Sequence, residues 1–292
     1  MKKHAFILNK VEVKILMDKE SESKELLTEW GLAIHIRAFY GKDHIDILFD
    51  TSITGKKVLA NIKTMKLDLS HLEYIVLSHK HFDHTGGLVD ILKEKDDWVS
   101  VLHGKNFFEQ GIMINPFLRQ LTLMPFLREI IIKEKGMLTP IWHPLEFAPG
   151  FFVSGRIPFV TDFEAPSLPA RRMTPPHMHQ DEIEDELALT IKLGEEIIVV
   201  TGCSHRGIVN IVKNAITITG ISNVRAIIGG LHLVSASEER IAKTIQELQT
   251  IGVREYYIGH CTGDDAIEQF KSVLGDAVHV TKSGVEITWG QN

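Results

Sequence analysis

The stretch Ser78-His79-Lys80-His81-Phe82-Asp83-His84-Thr85-Gly86-Gly87 decides the reading of this chain. It follows an apolar run, 73–77, that reads as a short buried strand, and its two glycines precede a helical pattern from about 87 to 95. Three histidines and an aspartate fall within six positions. In extended backbone, residues two apart point the same way, so His79 and His81 can grip one ion together. Asp83 and His84 lie just beyond, where the chain turns, and can face a neighbouring ion. Imidazole and carboxylate are the donors that a borderline divalent cation takes. Surface histidines could cluster by chance, but density at a strand end before a Gly-Gly turn favours a metal site.

The rest of the chain frames that stretch. It has 292 residues, 44% hydrophobic and 24% charged, a globular composition long enough for a large core. Alternating apolar residues predict strands over 10–17, 32–39 and 46–49, with a hairpin at 41–43 and a helix over 55–65. Another strand is expected at 98–102. In the second half, strands at 187–193, 196–200, 224–228 and 255–258 alternate with helices at 208–218, 238–251 and 264–274. Two strands, 277–280 and 285–289, end the chain. This order predicts an α/β layered domain spanning 1–292. The apolar segment 106–135 is interrupted by Pro116 and Pro125 and reads as a buried insertion of short helices. Residues 166–180, rich in proline and arginine, read as a mobile loop. The acidic run Asp181, Glu182, Glu184, Asp185 and Glu186 reads as solvated, with Asp185 a weaker candidate ligand.

Composition also excludes. Lysine and arginine number 32 against 38 acidic residues, a net charge of −6, which disfavours a nucleic-acid partner. No apolar run is long enough to span a membrane, and the first ten residues are too weakly apolar for a signal peptide. Two cysteines, Cys203 and Cys261, make no disulfide framework, so a cytoplasmic protein is expected. The partner expected is a small-molecule substrate, with a homo-oligomer left open.

The motif resembles the H-x-H-x-D-H signature of the metallo-β-lactamase superfamily. Asp50, ending 48–50, and His260, at a late strand end, stand where that superfamily keeps an upstream aspartate and its last ligand. The resemblance runs from about Val11 to His260. It implies a four-layer αβ/βα sandwich with the metals at one edge between two sheets. Three further segments, Thr201-Gly202-Cys203-Ser204-His205-Arg206-Gly207, Gly229-Gly230-Leu231-His232-Leu233 and Gly259-His260-Cys261-Thr262-Gly263, together with Gly155-Arg156-Ile157-Pro158 and Phe163-Glu164, look like the subgroup of the dihydropterin–ribofuranosylaminobenzene-phosphate synthases.

One departure stands out. The superfamily places a bridging aspartate after the strand read here at 196–200, and this chain has Cys203 there, with His205 two residues on. His205 is taken as a ligand. Cys203 reads equally as a thiolate ligand, since sulfur suits zinc, or as a small buried residue.

The resemblance then implies a metal-dependent hydrolase, or an enzyme of phosphate or ester group transfer. A bound cation would supply hydroxide at neutral pH. His79, His81 and His205 would hold one ion, and Asp83, His84 and His260 the other. Zinc is the expected metal, with manganese or iron as alternatives. Asp50 would fix a ligand loop. His232 could be a general acid, a substrate contact, a ligand or a packing residue. Arg156, Arg171, Arg172 and Arg206 are candidate anion contacts, although solubility is the commoner role of an arginine. His179, in a second H-x-H with His177, is a minority candidate for substrate contact. The segment 106–135 could wall a flat, pterin-like substrate. A diiron redox protein, a nuclease and a non-catalytic metal-binding sensor are the alternatives on the same scaffold.

Overall fold

Val11, Val13 and Ile15 are fully buried and alternate with partly exposed Lys10, Glu12 and Lys14, the period-two signature of a strand with one covered face. The computed structural model describes residues 6–114, 117–122, 128–164, 170–174 and 176–290. The first sheet contains β1 (Lys10–Met17), β2 (Ala33–Tyr40), β3 (Asp43–Phe49), β4 (Leu72–Val76), β5 (Val99–His103) and β8 (Gly136–Pro140), with β18 (Glu286–Gly290) on its outer edge. The second contains β9 (Leu145–Ala148), β10 (Phe151–Val153), β13 (Leu189–Leu193), β14 (Glu196–Thr201), β15 (Val224–Gly230), β16 (Glu255–Gly259) and β17 (Val278–Val280). Strands β3, β4, β5 and β8 run parallel, as do β14 through β17.

Three apolar clusters fill the three gaps of a four-layer sandwich. Between the sheets, Val13, Ile36, Phe49 and Val76 meet Val153, Leu189, Ile198 and Ile228. On the outer face of the first sheet, Leu48, Ile75 and Val101 pack on α1 (Gly55–Thr64), α3 (Leu88–Lys93) and α4 (Arg128–Lys133). On the outer face of the second, Ile197, Val199 and Ile227 pack on α5 (Ile208–Thr219), α6 (Glu238–Ile251) and α7 (Asp264–Leu274). In β14, Ile198 and Val200 face the centre while Ile197 and Val199 face the helices. The expected four-layer α/β class is the observed one. Helix α6 begins and ends where its residues dictate: Ser237 accepts the Arg240 amide at 3.3 Å, and Gly252 closes the helix in the left-handed conformation.

Two expectations need correction. Among the described residues, 106–135 are not an insertion built of helices alone: they contain β6 (Gln110–Ile114) and β7 (Leu118–Gln120), with α4 as the one short helix. Residues 166–180 are not wholly a loop, since β11 (Ala170–Thr174) and β12 (His177–Gln180) pair there. The four strands form one antiparallel sheet, ordered β12-β11-β6-β7. Cross-strand hydrogen bonds between distant segments outweigh the local composition that suggested helix and loop. Pro116, Pro125 and 165–169 lie outside the described residues. No helix among the described residues is long and apolar enough to cross a membrane.

The β2–β3 pair carries a buried charge. Asp46, fully buried, receives Arg37 Nε at 2.7 Å and Nη2 at 2.8 Å, and His35 Nε2 lies 3.2 Å away. Burial opposes ionisation, but these partners outweigh it and hold the carboxyl down at about 2. A depressed carboxyl stabilises the fold above its ordinary value near 3.8, and that contribution fades as pH falls through about 2. Asp46→Asn should remove about 2 kcal/mol at pH 7 and flatten the acid limb of the stability curve, as measured by urea unfolding between pH 2 and 5.

Candidate metal centre

The loops that follow the carboxyl ends of the parallel strands converge on one rim, the usual ligand side of such sheets. Asp50 follows β3, the 78–81 loop follows β4, Cys203 and His205 follow β14, His232 follows β15, and His260 follows β16. Asp83 and His84 stand on α2 (Phe82–Thr85). Asp50, Ser204, His232 and His260 take left-handed backbone conformations, with φ of 59°, 61°, 48° and 49°. Side-chained residues pay about 1–2 kcal/mol for that conformation, and such strain collects at functional sites. Gly202 is required where it stands, because a Cβ there would lie 2.2 Å from Ser78 Oγ.

Asp50 organises the first-sheet ligands. Its Oδ1 accepts the Ser78 amide at 2.7 Å, and its Oδ2 accepts the Ser78 hydroxyl at 2.7 Å and His84 Nδ1 at 2.6 Å. A carboxylate only accepts, so the Ser78 proton points at Asp50. Ser78 Oγ must then accept from His79 Nδ1, which is 2.9 Å away. In a neutral ring this leaves His79 Nε2 without a proton. The same bond from His84 Nδ1 aims His84 Nε2 at the rim.

Two donor sets result. His79 Nε2 lies 3.0 Å from His81 Nδ1 and 3.2 Å from His205 Nε2. A tetrahedral zinc with Zn–N near 2.05 Å spaces its nitrogens about 3.3 Å apart, so this set fits a cation. Burial, and then the neighbouring imidazoles, hold His79 and His205 well below the ordinary histidine range; burial holds His81 at about 3. Neutral rings are what a cation needs. In the second set, Asp83 Oδ2 lies 3.6 Å from His84 Nε2 and 3.7 Å from His260 Nε2. His260 is buried with both ring nitrogens unpartnered, an orphan that a cation would satisfy. Burial keeps His260 at about 3, whereas at His84 the Asp83 and Asp50 carboxylates overcome burial and raise it to about 9. A cation binding there must displace the His84 proton.

Cys203 sits between the sets. Its Sγ lies 3.2 Å from His84 Nε2, and it shares 4.8 Å groupings with His79 and His84, with His205 and His232, and with His260 and Cys261. Burial pushes the thiol up, and a coordinating cation reverses that. Cys261 was missed as a donor from sequence, although its place beside His260 was the available signal. The His232 ring lies tilted against that of His205, centroids 4.2 Å apart, with Nδ1 buried and without a hydrogen-bond partner. Burial lowers His232, but the Cys261 sulfur beside it, held despite its burial toward its thiolate form by hydrogen bonds with Cys203 and His232, raises it above its ordinary value. Half-exposed Trp30 lies against His260, centroids 5.5 Å apart, at the mouth.

The remaining candidates are placed elsewhere. Arg206 is buried in the wall; its Nε donates to the Ile157 carbonyl at 2.6 Å, its Nη1 to that of Glu182 at 2.8 Å, and its guanidinium stacks 3.9 Å over Phe159. Arg156 is half-exposed and paired with Glu184 at 3.2 Å. Arg172 pairs with Glu109 and Glu184, and Arg171 is exposed on β11. His177 and His179 are exposed on β12 and join none of the donor sets among the described residues. The acidic run is solvated only in part: Glu182 is exposed as expected and Glu184 partly so, whereas Asp181, Asp185 and Glu186 are buried, because loop amides and Lys80 partner them. Asp185 supports a ligand loop and is not itself in a donor set.

Comparison with known proteins agrees with this geometry. Residues 40–111 match the metallo-beta-lactamase superfamily. The 7,8-dihydropterin-6-methyl-4-(beta-D-ribofuranosyl)-aminobenzene-5'-phosphate synthase of Methanocaldococcus jannaschii is 38% identical over 233 residues, 77% of this chain and 79% of that protein. An uncharacterized protein of the same organism is 24% identical over 89% of this chain and 94% of its own length. A solved metal-dependent hydrolase of the beta-lactamase superfamily superposes with a TM-score of 0.78, at 23% identity, over 96% of this chain and 100% of its own. With its motif, sandwich and rim of histidines accounted for, the chain belongs to the metallo-β-lactamase superfamily, in the group of the dihydropterin–ribofuranosylaminobenzene-phosphate synthase-like proteins.

Proposed function

We propose that this protein is a dinuclear metal-dependent hydrolase or phosphate/ester group-transfer enzyme acting on a small phosphorylated or pterin-like substrate. The observation that carries this reading is the convergence of His79 Nε2, His81 Nδ1 and His205 Nε2 beside a second set that shares the Asp50 network. The synthase name of the M. jannaschii relative supports the substrate class.

Bound zinc, or manganese or iron in its place, would supply Lewis acidity and an activated water at neutral pH. His79, His81 and His205 would hold one ion and Asp83, His84 and His260 the other, with Cys203 a further candidate donor. Asp50 orients His79 through Ser78 and orients His84 directly. Asp83, beside His84 and His260 on the rim, would both hold its ion and accept a proton from the water that the metal activates. His232 holds a proton at Nδ1 for the leaving group. Trp30 offers a face to a flat substrate, the role first expected of 106–135. Arg156 and His179 are the contacts we offer for a substrate phosphate, and Arg206 stiffens the wall. The setting we propose is the cytoplasm, where the free Cys203 and Cys261 would stay reduced.

Elemental analysis of the purified protein should return two ions per chain. A panel of phosphodiester, phosphomonoester and thioester substrates should show turnover that a chelator removes and added zinc restores. Stoichiometric iron with redox activity and no hydrolysis would overturn the reading, as would metal without any turnover.

A further inference from the structure

Asp185, Glu186 and Leu187 run between the loop that carries His79 and His81 and the loop that carries His205. Asp185 Oδ2 accepts the amide of Lys80, the residue between the two histidines, at 2.7 Å. Glu186 Oε1 accepts the His205 amide and Oε2 the Arg206 amide, each at 2.6 Å. The Leu187 amide donates to the Ser78 carbonyl at 2.6 Å. Three consecutive buried residues thus hold both loops by their main chains. Lys80 Nζ, buried at 2.7 Å from Asp181 and 3.7 Å from Asp185, and the buried Arg206 guanidinium near Glu186 offset part of the enclosed negative charge. Neither Asp185 nor Glu186 belongs to a donor set.

We propose that Asp185 and Glu186 are positioning residues that fix the spacing between the 78–81 and 203–206 loops, so that the first donor set is assembled before a cation arrives. The two loops leave strands of different sheets, and side-chain packing alone leaves their separation adjustable. Carboxylates that receive main-chain amides remove that freedom, because charge-assisted bonds are short and directional. Each Glu186 oxygen serves one amide, so no neutral side chain of the same shape can replace it: glutamine would turn an NH2 toward one of the two donors. Asp185 offers one oxygen to one amide, and asparagine can keep that bond.

The inference rests on reading His79, His81 and His205 as a metal site and is independent of the reaction catalysed. The test uses the full chain, stripped of metal and titrated with cobalt(II) alone, with affinity taken from the visible spectrum and from competition with a chelating dye. Glu186→Gln should weaken the first cobalt by about 10–100-fold, the usual effect of losing an outer support of a ligand. Asp185→Ala should weaken it similarly, and Asp185→Asn should restore affinity close to that of the unaltered protein. Unchanged cobalt affinity in Glu186→Gln and Asp185→Ala overturns the proposal. So does equal weakening in Asp185→Ala and Asp185→Asn, since charge and not the bond would then be at work. If Glu186→Gln does not fold, the Asp185 pair decides alone. Normal cobalt binding by a protein that turns over no ester would defeat the hydrolase reading while leaving this one standing.

Discussion

His81→Ala abolishes both metal retention and turnover. The His81 ring is nearly enclosed, and its Nδ1 lies 3.0 Å from His79 Nε2 in a set of three donors. Two imidazoles remain in the variant, and a chelate of two holds a divalent ion far less tightly than one of three. The vacated volume also admits water, which solvates the nitrogens left behind. A cation contributes several kcal/mol of transition-state stabilisation, so hydrolysis should fall by at least about 10³-fold. Elemental analysis and the ester panel, run on the same preparation, check the two effects together. Stoichiometric metal with an undiminished rate would refute the assignment of His79, His81 and His205. Circular dichroism should be unchanged, because the ring contributes no hydrogen bond to the core beyond the donor set.

Asp50→Ala carries the second large effect, and it falls on stability as well as on metal. One fully buried carboxylate takes the Ser78 amide, the Ser78 hydroxyl and His84 Nδ1. Removing it strands these donors away from water, which should cost about 3–5 kcal/mol. It also frees the Ser78 hydroxyl to turn toward His79, so that His79 Nε2 no longer presents a fixed lone pair. Asp50→Asn keeps the volume and one acceptor, and should lose less stability while still losing about 10–100-fold in metal affinity. Urea unfolding and cobalt titration of the two variants separate the contributions. Equal stability of Asp50→Ala and the unaltered protein would show that water replaces the carboxylate and that the network does not orient the ligands.

Much of this architecture was legible because its signals are local. Period-two alternation marked β1 and β2, and Ile241, Ile245 and Leu248 at helical spacing marked α6, whose expected bounds are the observed ones. The histidines declared themselves by residue type and by their place at a strand end. What failed to show was non-local. The hairpins β6–β7 and β11–β12 are joined by pairing of β6 with β11 across about sixty residues of sequence, and neither composition nor proline content reports a partner that far away. The acidic run looked solvated because its partners are the amides of two distant loops and the Lys80 ammonium. Arg206 looked like an anion contact for the converse reason: the carbonyls of Ile157 and Glu182 that occupy it are invisible to sequence. The short strands β8, β9 and β10 carry too few residues for a period to register.

The histidines also divide by origin: His79, His81 and His84 come from the first half of the chain, and His205 and His260 from the second. Each donor set takes members from both. An ion in either set is therefore a rivet through the seam between two half-molecules, at the edge where no disulfide joins them. Whatever unzips the halves releases the ion, and a free cation in excess clamps them by mass action, so heat tolerance should climb with metal concentration well past the point where every centre is filled.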